Sequence, residues 1–332
     1  TNLMFGISRA ISQTWQAGDE IIVSALDHYA NVSSWQLAAE EKGVVVHQVR
    51  IDPETHGLDY EHLECLINHR TKLVAVTHAS NVTGGIVDVA RVVKLAQAFG
   101  ALSFVDAVHY APHQLVDVKA IDCDFLVISA YKFTGPHVAA LYAKTEHLER
   151  FKPYKVEPAA NVNPNQWEQG TQNFEALAGL TACIDYLASL SDMGALTSNN
   201  LRARLEASYA WIHAHESALG DYFISQLADY PMIELYGAKN PYGRTPTFAF
   251  RIKGQMPRAF SEYCALEGVC VGDGHFYAQG LMEHLGLMTQ GGVIRLGFLH
   301  YNTKEEIDRF FAVLKRYVCS EKPLLHSEAV LV

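Results

Sequence analysis

Positive charge is scarce in this chain. Its 332 residues carry 26 Lys and Arg against 36 Asp and Glu, a formal net charge of −10, and that balance excludes a nucleic-acid backbone or an anionic membrane as the main partner. Long apolar runs are missing too: none approaches the roughly 18 residues that a membrane-crossing helix needs. Cysteine is sparse, with Cys65, Cys123, Cys183, Cys264, Cys270 and Cys319 set singly, mostly in apolar stretches, and no CxxC pair. Such thiols belong to a reducing compartment rather than to a disulfide framework, so a cytoplasmic protein is expected. The 16 histidines include no HExxH and no close-set ligand pair, which leaves a metal hydrolase without its ligands; no metal is expected. There is no internal repeat and no low-complexity segment. With 49% hydrophobic and 19% charged residues, disorder and fibrous repeats are excluded as well. What remains is a globular protein with a small-molecule partner.

At roughly 150 residues per domain the length corresponds to about two domains. The chain opens on Thr1 rather than Met and runs at once into a helical pattern, so part of the natural N-terminus is expected to be missing. Leu3, Met4, Ile7, Ala10, Ile11 and Trp15 recur at helical spacing. Beyond them, short continuous apolar runs predict strands over 21–25, 44–49, 73–77, 102–105, 125–129 and 138–142, separated by helices over 32–42, 60–68 and 89–99. Buried strands alternating with amphipathic helices predict an α/β fold with a mostly parallel sheet covered on both faces. After Lys144 the texture changes to an irregular connection marked by Pro153, Pro158 and Pro164. Two long helices over 175–190 and 200–228, strands over 247–252, 269–271 and 293–298, and a last helix carrying Ile307, Phe310, Phe311, Leu314 and Val318 on one face complete the pattern. The reading is a large α/β domain over 1–190 and a smaller α+β domain over 191–332.

Ligands of open α/β sheets bind beyond the carboxyl ends of the strands. Those ends are polar here: Asp27 and His28 follow the first strand, His78 and Asn81 the third, Asp106 and His109 the fourth, and Ser129, Tyr131 and Lys132 the fifth. An amine and a carboxylate on separate strand ends suit pyridoxal phosphate, which needs a lysine for its Schiff base and an acid beside its ring nitrogen. To act as nucleophile or base Lys132 must be partly neutral, a state expected from burial and a neighbouring cation.

The segments LDHYANVSSW, THASNVTGG, FVDAVHYAPH and SAYKFTGPH, followed by WEQGTQN and IRLGFLHYNT, resemble the class V aminotransferase family of pyridoxal-phosphate enzymes, nearest to its cysteine desulfurase and selenocysteine lyase-like branch. The resemblance spans nearly the whole chain, in the family's order, and implies a fold type I transferase. It implies that Lys132 forms the Schiff base, that Asp106 pairs with the ring nitrogen and that His28 stacks on the ring. Asn81 would sit near the ring hydroxyl, beside His109, where many relatives have Gln. Ser129 would meet the phosphate, joined by backbone N–H groups near Thr1 and Asn2 at a helix start; Tyr131 stands where that branch often has His. Gly170 and Thr171 match a turn that reaches the neighbouring subunit's phosphate in relatives, which implies a homodimer. Arg295 matches the residue that grips the substrate's α-carboxylate, and His275 falls in the loop expected to meet the substrate side chain.

Two departures bear on the reaction. Desulfurases use a loop thiol before the Arg295 strand, and here that loop reads Gly272-Asp273-Gly274-His275-Phe276-Tyr277-Ala278, without cysteine. Cys270, the nearest thiol, is expected to be buried within the 269–271 strand. Gly272 stands where an Arg is often found. The expected function is therefore a cysteine desulfurase-like, class V aminotransferase-type enzyme acting on a small α-amino acid. Alternatives are a true cysteine desulfurase or selenocysteine lyase using another thiol, an amino-acid epimerase, or a non-catalytic cofactor-binding protein. Each residue also has a plainer role open to it: Lys132 on the surface, Asp106 as a helix cap, His28 and His78 in the core, Arg295 in an ion pair. Ser129-Ala130-Tyr131-Lys132 also spells the S-x-x-K of serine β-lactamases, but the S-D-N and K-T-G elements of those enzymes are absent.

Overall fold

The computed structural model describes residues 1–194, 198–238 and 243–319; residues 320–332, the end of the expected second domain, lie outside them. Helix α1 (Asn2–Ser12) leads into strand β1 (Glu20–Ser24), helix α2 (Ala30–Glu40), strand β2 (Val45–Val49) and helix α3 (Tyr60–Leu66). Strand β3 (Thr71–Thr77), helix α4 (Val89–Ala98), strand β4 (Leu102–Asp106), the short helix α5 (Val118–Ile121) and strand β5 (Phe125–Ser129) continue the alternation, and β6 (Ala139–Ala143) ends it. These strands form one six-stranded sheet in the order β2-β1-β3-β4-β5-β6. All pairings are parallel except β5 with β6, which is antiparallel. The reversal follows from the short turn after β5, which leaves no room for the crossover helix that a parallel neighbour requires.

Apolar side chains on opposite faces of this sheet feed two separate cores. Trp35 of α2 meets Phe104 of β4 edge to face, ring centroids 5.0 Å apart, on the face that α1 also covers. Val92, Val93 and Ala96 of α4 pack with Val74, Val76 and Val105 on the other. Burying an aromatic or branched side chain of this size contributes about 2 kcal/mol, so the strand ends are mounted on a rigid base. The N-caps are built locally: the Asp88 side chain accepts from Arg91 N–H and starts α4, and the Asp59 side chain does the same for α3 with His62 N–H.

After helix α6 (Thr145–Arg150) and the irregular connection come α7 (Phe174–Ser189) and the long α8 (Leu201–Leu227). Strands β7 (Ile233–Tyr236) and β8 (Thr247–Ile252), helix α9 (Pro257–Leu266), strand β9 (Gly272–Gly274), helix α10 (Gln279–His284), strand β10 (Val293–Gly297) and helix α11 (Lys304–Cys319) complete the described chain. A second, four-stranded sheet has the order β7-β8-β10-β9 and is antiparallel throughout. Its core is aromatic, with Phe223, Phe248, Phe250, Phe260, Phe310 and Phe311 buried together.

Two expectations are corrected here. The strand expected over 269–271 is displaced to Gly272–Gly274, where backbone pairing with β10 selects the segment in spite of its low strand propensity. Strand β7 and helices α5, α6, α9 and α10 were not expected. Their amphipathic patterns are short, and neighbours in space decide them. Among the described residues no helix is long and apolar enough to cross a membrane.

Candidate active site

The carboxyl ends of β3, β4 and β5 converge with β10 on a cavity of roughly 790 Å³. His28, Asn81, Asp106 and His109 line it, together with Ser129, Tyr131, Lys132 and Arg295. Thr1 and Asn2, at the start of α1, contribute to one wall. Residues separated by more than 160 positions are thereby collected on one surface. His275, Gly170 and Thr171 do not line it: His275 is exposed, its Nδ1 accepting the Tyr277 N–H at 3.0 Å, and Gly170 and Thr171 are exposed on the connection before α7.

Asp106, the last residue of β4, is 5% exposed; its Oδ1 accepts the Val108 N–H at 2.9 Å, and it forms no ion pair among the described residues. Burial pushes its carboxyl up to about 6, opposed by that hydrogen bond and by the charge of Lys132. Lys132 sits in a single 3-10 turn, Ala130–Phe133, directly after β5, and the turn ends at Thr134 in the left-handed region (φ 71°). Its Nζ lies 5.0 Å from the Tyr131 ring centroid, and Tyr131 stacks on His137 at 4.9 Å. The side chain of Lys132 is exposed within the open cavity, which corrects the expectation that the fold itself buries the amine. Desolvation of Lys132 therefore requires something in the cavity.

Asp27 holds the His28 loop. It is fully buried, takes a short hydrogen bond from Ser24 Oγ and a second from Asn31 Nδ2 at 2.6 Å, and Asn31 Oδ1 accepts the Trp35 indole N–H at 2.9 Å. His28 stays neutral: burial first, and then the charges of Lys132 and Arg295, lower it to about 4. Its ring lies 5.4 Å from that of Tyr277, tilted by 32°, and its Nδ1 accepts the Ala30 N–H. Burial pushes Asp27 from an ordinary 3.8 up to about 8, with Asp106 nearby adding to the effect. The native state therefore holds a proton that the unfolded chain releases, so this group's contribution is complete below pH 3.8 and is lost as pH rises towards 8. Asp27→Asn should flatten that decline in denaturant-unfolding free energies measured across this range. An unchanged slope would refute the assignment.

Arg295, in the inner strand β10, is half-buried, and this desolvation lowers its affinity for its proton. Its Nη1 donates to the Asn81 carbonyl at 2.6 Å and its guanidinium lies 4.0 Å from the Phe276 ring centroid. Asn81 Nδ2 donates to the Phe276 carbonyl at 2.8 Å, and Tyr29 N–H to the Tyr277 carbonyl at 2.7 Å. Phe276 and Tyr277 are both in the left-handed region, with φ of 51° and 57°. Backbone of that kind costs on the order of 1–3 kcal/mol per residue, and these cross-links between the two sheets hold it. Asn81 lines the cavity, and its Oδ1 is buried without a hydrogen-bond partner among the described residues. An unpaired amide oxygen, a buried carboxylate and an open amine form a donor and acceptor set that fits a polar aromatic ring carrying a hydroxyl, a basic nitrogen and a carbonyl.

Several lining residues escaped the sequence reading. Cys270 was expected to be buried, yet its thiol is exposed and lines the cavity, because the strand starts two residues later and leaves 270 in a loop. His113 and Thr247 also line the cavity. A signal existed for His113, four residues after His109; Thr247 has no local signal, since β8 meets His109 only in the folded chain.

The sequence profile of the aminotransferase class-V family matches residues 1–310. Among curated proteins, the cysteine desulfurase of Pectobacterium carotovorum subsp. carotovorum (strain PC1) is 33% identical over 316 residues, covering 91% of this chain and 71% of that protein. A probable cysteine desulfurase of Synechocystis sp. is 33% identical over 313 residues, covering 90% and 70%. Among solved structures, the cysteine desulfurase CsdA of Escherichia coli aligns with a TM-score of 0.82 at 26% identity, over 96% of this chain and 76% of that one. The cysteine desulfurase of Thermococcus onnurineus NA1 aligns with a TM-score of 0.82 at 25% identity, over 96% and 77%. The architecture described above is thus that of fold type I.

Proposed function

The chain belongs to the aminotransferase class-V family and is an enzyme of that family; on that premise we propose that it uses pyridoxal 5′-phosphate to transform a small α-amino acid. The observation that carries the reading is that Lys132 and Asp106, from the turn directly after β5 and the end of the adjacent β4, line one cavity together with Arg295. Bound there, the cofactor would supply an electron sink for a carbanion at the substrate's Cα. Asp106 would hold the ring nitrogen's proton, an anion in a buried site being stabilised most by a cation placed against it. Lys132 Nζ would hold the cofactor through its carbonyl group and would move the proton at the substrate's Cα. Arg295 would bind the α-carboxylate through its planar guanidinium. His28 would lie against the ring face, Asn81 and His109 near the ring hydroxyl, and Ser129, Tyr131 and the N–H groups at Thr1 and Asn2 around the phosphate.

A homodimer is part of this proposal. Tyr154, Val156, Val162 and Phe174 are exposed apolar residues flanking Gly170 and Thr171, and a partner subunit covering them would bring that turn to its neighbour's cavity. His275 stays a candidate for side-chain contact on the same terms, since it is exposed at the edge of the 276–277 segment.

The test is an absorbance titration with pyridoxal phosphate, borohydride reduction and peptide mapping. The reduced adduct is expected on Lys132, and an adduct on another lysine would overturn the site. One observation favours a second reading, cysteine desulfuration, namely the exposed Cys270 thiol on the cavity wall. Our reading expects little sulfide from cysteine, with Cys270→Ser changing the remainder less than about twofold. Fast release abolished by that variant would establish desulfuration instead. Turnover of other amino acids, followed as oxo-acid formation or Cα deuterium exchange, separates transamination from epimerisation, and cofactor binding with silence in every assay would identify a binding protein.

A further inference from the structure

His109 meets the cavity on one side and two threonine hydroxyls on the other. Its Nε2 lies 3.2 Å from Thr245 Oγ1 and 3.1 Å from Thr247 Oγ1. The Thr245 hydroxyl donates its own proton to the Gly84 carbonyl at 3.3 Å, so towards His109 it offers only a lone pair. A bare Nε2 would then face a bare oxygen, an unfavourable contact that an Nε2–H removes. An Nε2–H can reach both oxygens, whereas a bare Nε2 could accept only from the Thr247 hydroxyl. The segment behind the ring is rigid. Thr245 N–H donates to the Gly84 carbonyl at 2.8 Å, and Arg244 Nη2 donates to the Thr247 carbonyl at 2.6 Å and to the Thr83 carbonyl at 2.8 Å. Gly84 has φ 75°, and a Cβ there would stand 2.7 Å from the Thr247 carbonyl oxygen, so the two chains approach as closely as glycine allows. On the remaining side the His113 ring meets His109 edge-on at 5.5 Å, and His113 Nδ1 is paired with buried Glu216 at 2.8 Å.

We propose that Thr245 and Thr247 lock His109 in its Nε2–H tautomer, so that its Nδ1 meets the cavity as a hydrogen-bond acceptor and selects an occupant that presents a donor there. Burial, together with the charges around His113, Arg295 and Lys132, keeps the imidazole neutral and so prevents Nδ1 from acquiring a proton of its own. A glutamine at this position would carry both a donor and an acceptor; this histidine, so locked, carries only the acceptor. The tautomer is inferred from these contacts alone. The identity of the donor, the hydroxyl of the pyridoxal ring in its protonated form, rests on the function proposed above.

Two measurements test the proposal on the intact protein. In histidine-¹⁵N-labelled protein, long-range proton–nitrogen spectra, with the His109 signals assigned by their loss in His109→Gln, are expected to show a protonated Nε2 and an unprotonated Nδ1. Thr245→Val combined with Thr247→Val should replace this pattern by tautomer averaging. A protonated Nδ1, or a pattern unchanged in the double variant, would overturn the lock. Equilibrium dialysis then compares pyridoxal phosphate with its 3-deoxy analogue, which is expected to bind about tenfold more weakly to the parent protein, the effect of one net hydrogen bond. That difference should vanish in His109→Ala, and equal binding of both compounds by the parent would overturn the donor assignment. Failure of both compounds to bind would refute the cofactor reading and with it the donor, while the spectra still decide the tautomer.

Discussion

Lys132→Ala is expected to lower turnover of any amino-acid substrate by about 10³-fold or more. On the proposed function the substitution would remove both the nucleophile that holds the carbonyl and the group that moves the Cα proton, and positioned proton transfer alone is worth about 10²–10⁴-fold. The same change should leave the protein's stability within about 0.5 kcal/mol of the parent, the usual range for an exposed side chain, because Lys132 is exposed and its Nζ meets only the face of the neighbouring exposed Tyr131 ring at 5.0 Å among the described residues. Turnover, the visible absorbance of added pyridoxal phosphate and the thermal midpoint are the three readouts. Loss of activity with a large fall in the midpoint would assign Lys132 a structural role, and retained activity would remove it from the chemistry.

Asp106→Asn carries the second large effect, and it separates stability from activity. The carboxylate is buried with the Val108 N–H as its hydrogen-bond donor, and burial has already pushed it up to about 6. Above that pH the folded protein carries a buried charge without an ion-pair partner, whose removal is stabilising or neutral when the replacement keeps the shape and the hydrogen bond. An amide does both, through its Oδ1. The variant should therefore match or exceed the parent's unfolding free energy at pH 8 while turnover falls about 10²-fold or more, since a neutral amide cannot hold a positive charge on a ring nitrogen. A stabilised protein with intact turnover would show that the acid is dispensable, and a destabilised one that the carboxylate is structural. This is the trade-off expected where a site retains a group that folding alone would discard.

Much of this was legible beforehand. The parallel strands announce themselves because they are buried on both faces and so read as unbroken apolar runs, and the residues after them are polar because a strand end at the rim of a sheet meets solvent or ligand. His28, Asn81, Asp106, Ser129 and Lys132 were each visible as the first polar residues after such a run, with a resemblance in the surrounding segments to add roles. Short elements were not legible in this way. Gly272–Gly274 has no strand propensity and becomes one only by pairing with β10, and that shift of register is what brings Cys270 into a loop on the cavity wall. The exposure of Lys132 was equally hidden, since an apolar strand before a lysine says nothing about the width of the space in front of it.

The order of residues along the chain was enough to determine the alternating α/β architecture, the polar strand ends and the absence of a thiol from the 272–278 loop, because each is a property of neighbours within one turn or one strand. Tertiary structure alone decided which polar groups share a cavity and in what state. The buried Asp106 carboxylate, without an ion pair among the described residues, the carbonyl of Asn81 bound by Arg295 and the threonine hydroxyls behind His109 depend on contacts across as many as 214 positions. Protonation and tautomer are set by burial and by the nearest donors and acceptors, and only the folded chain supplies either.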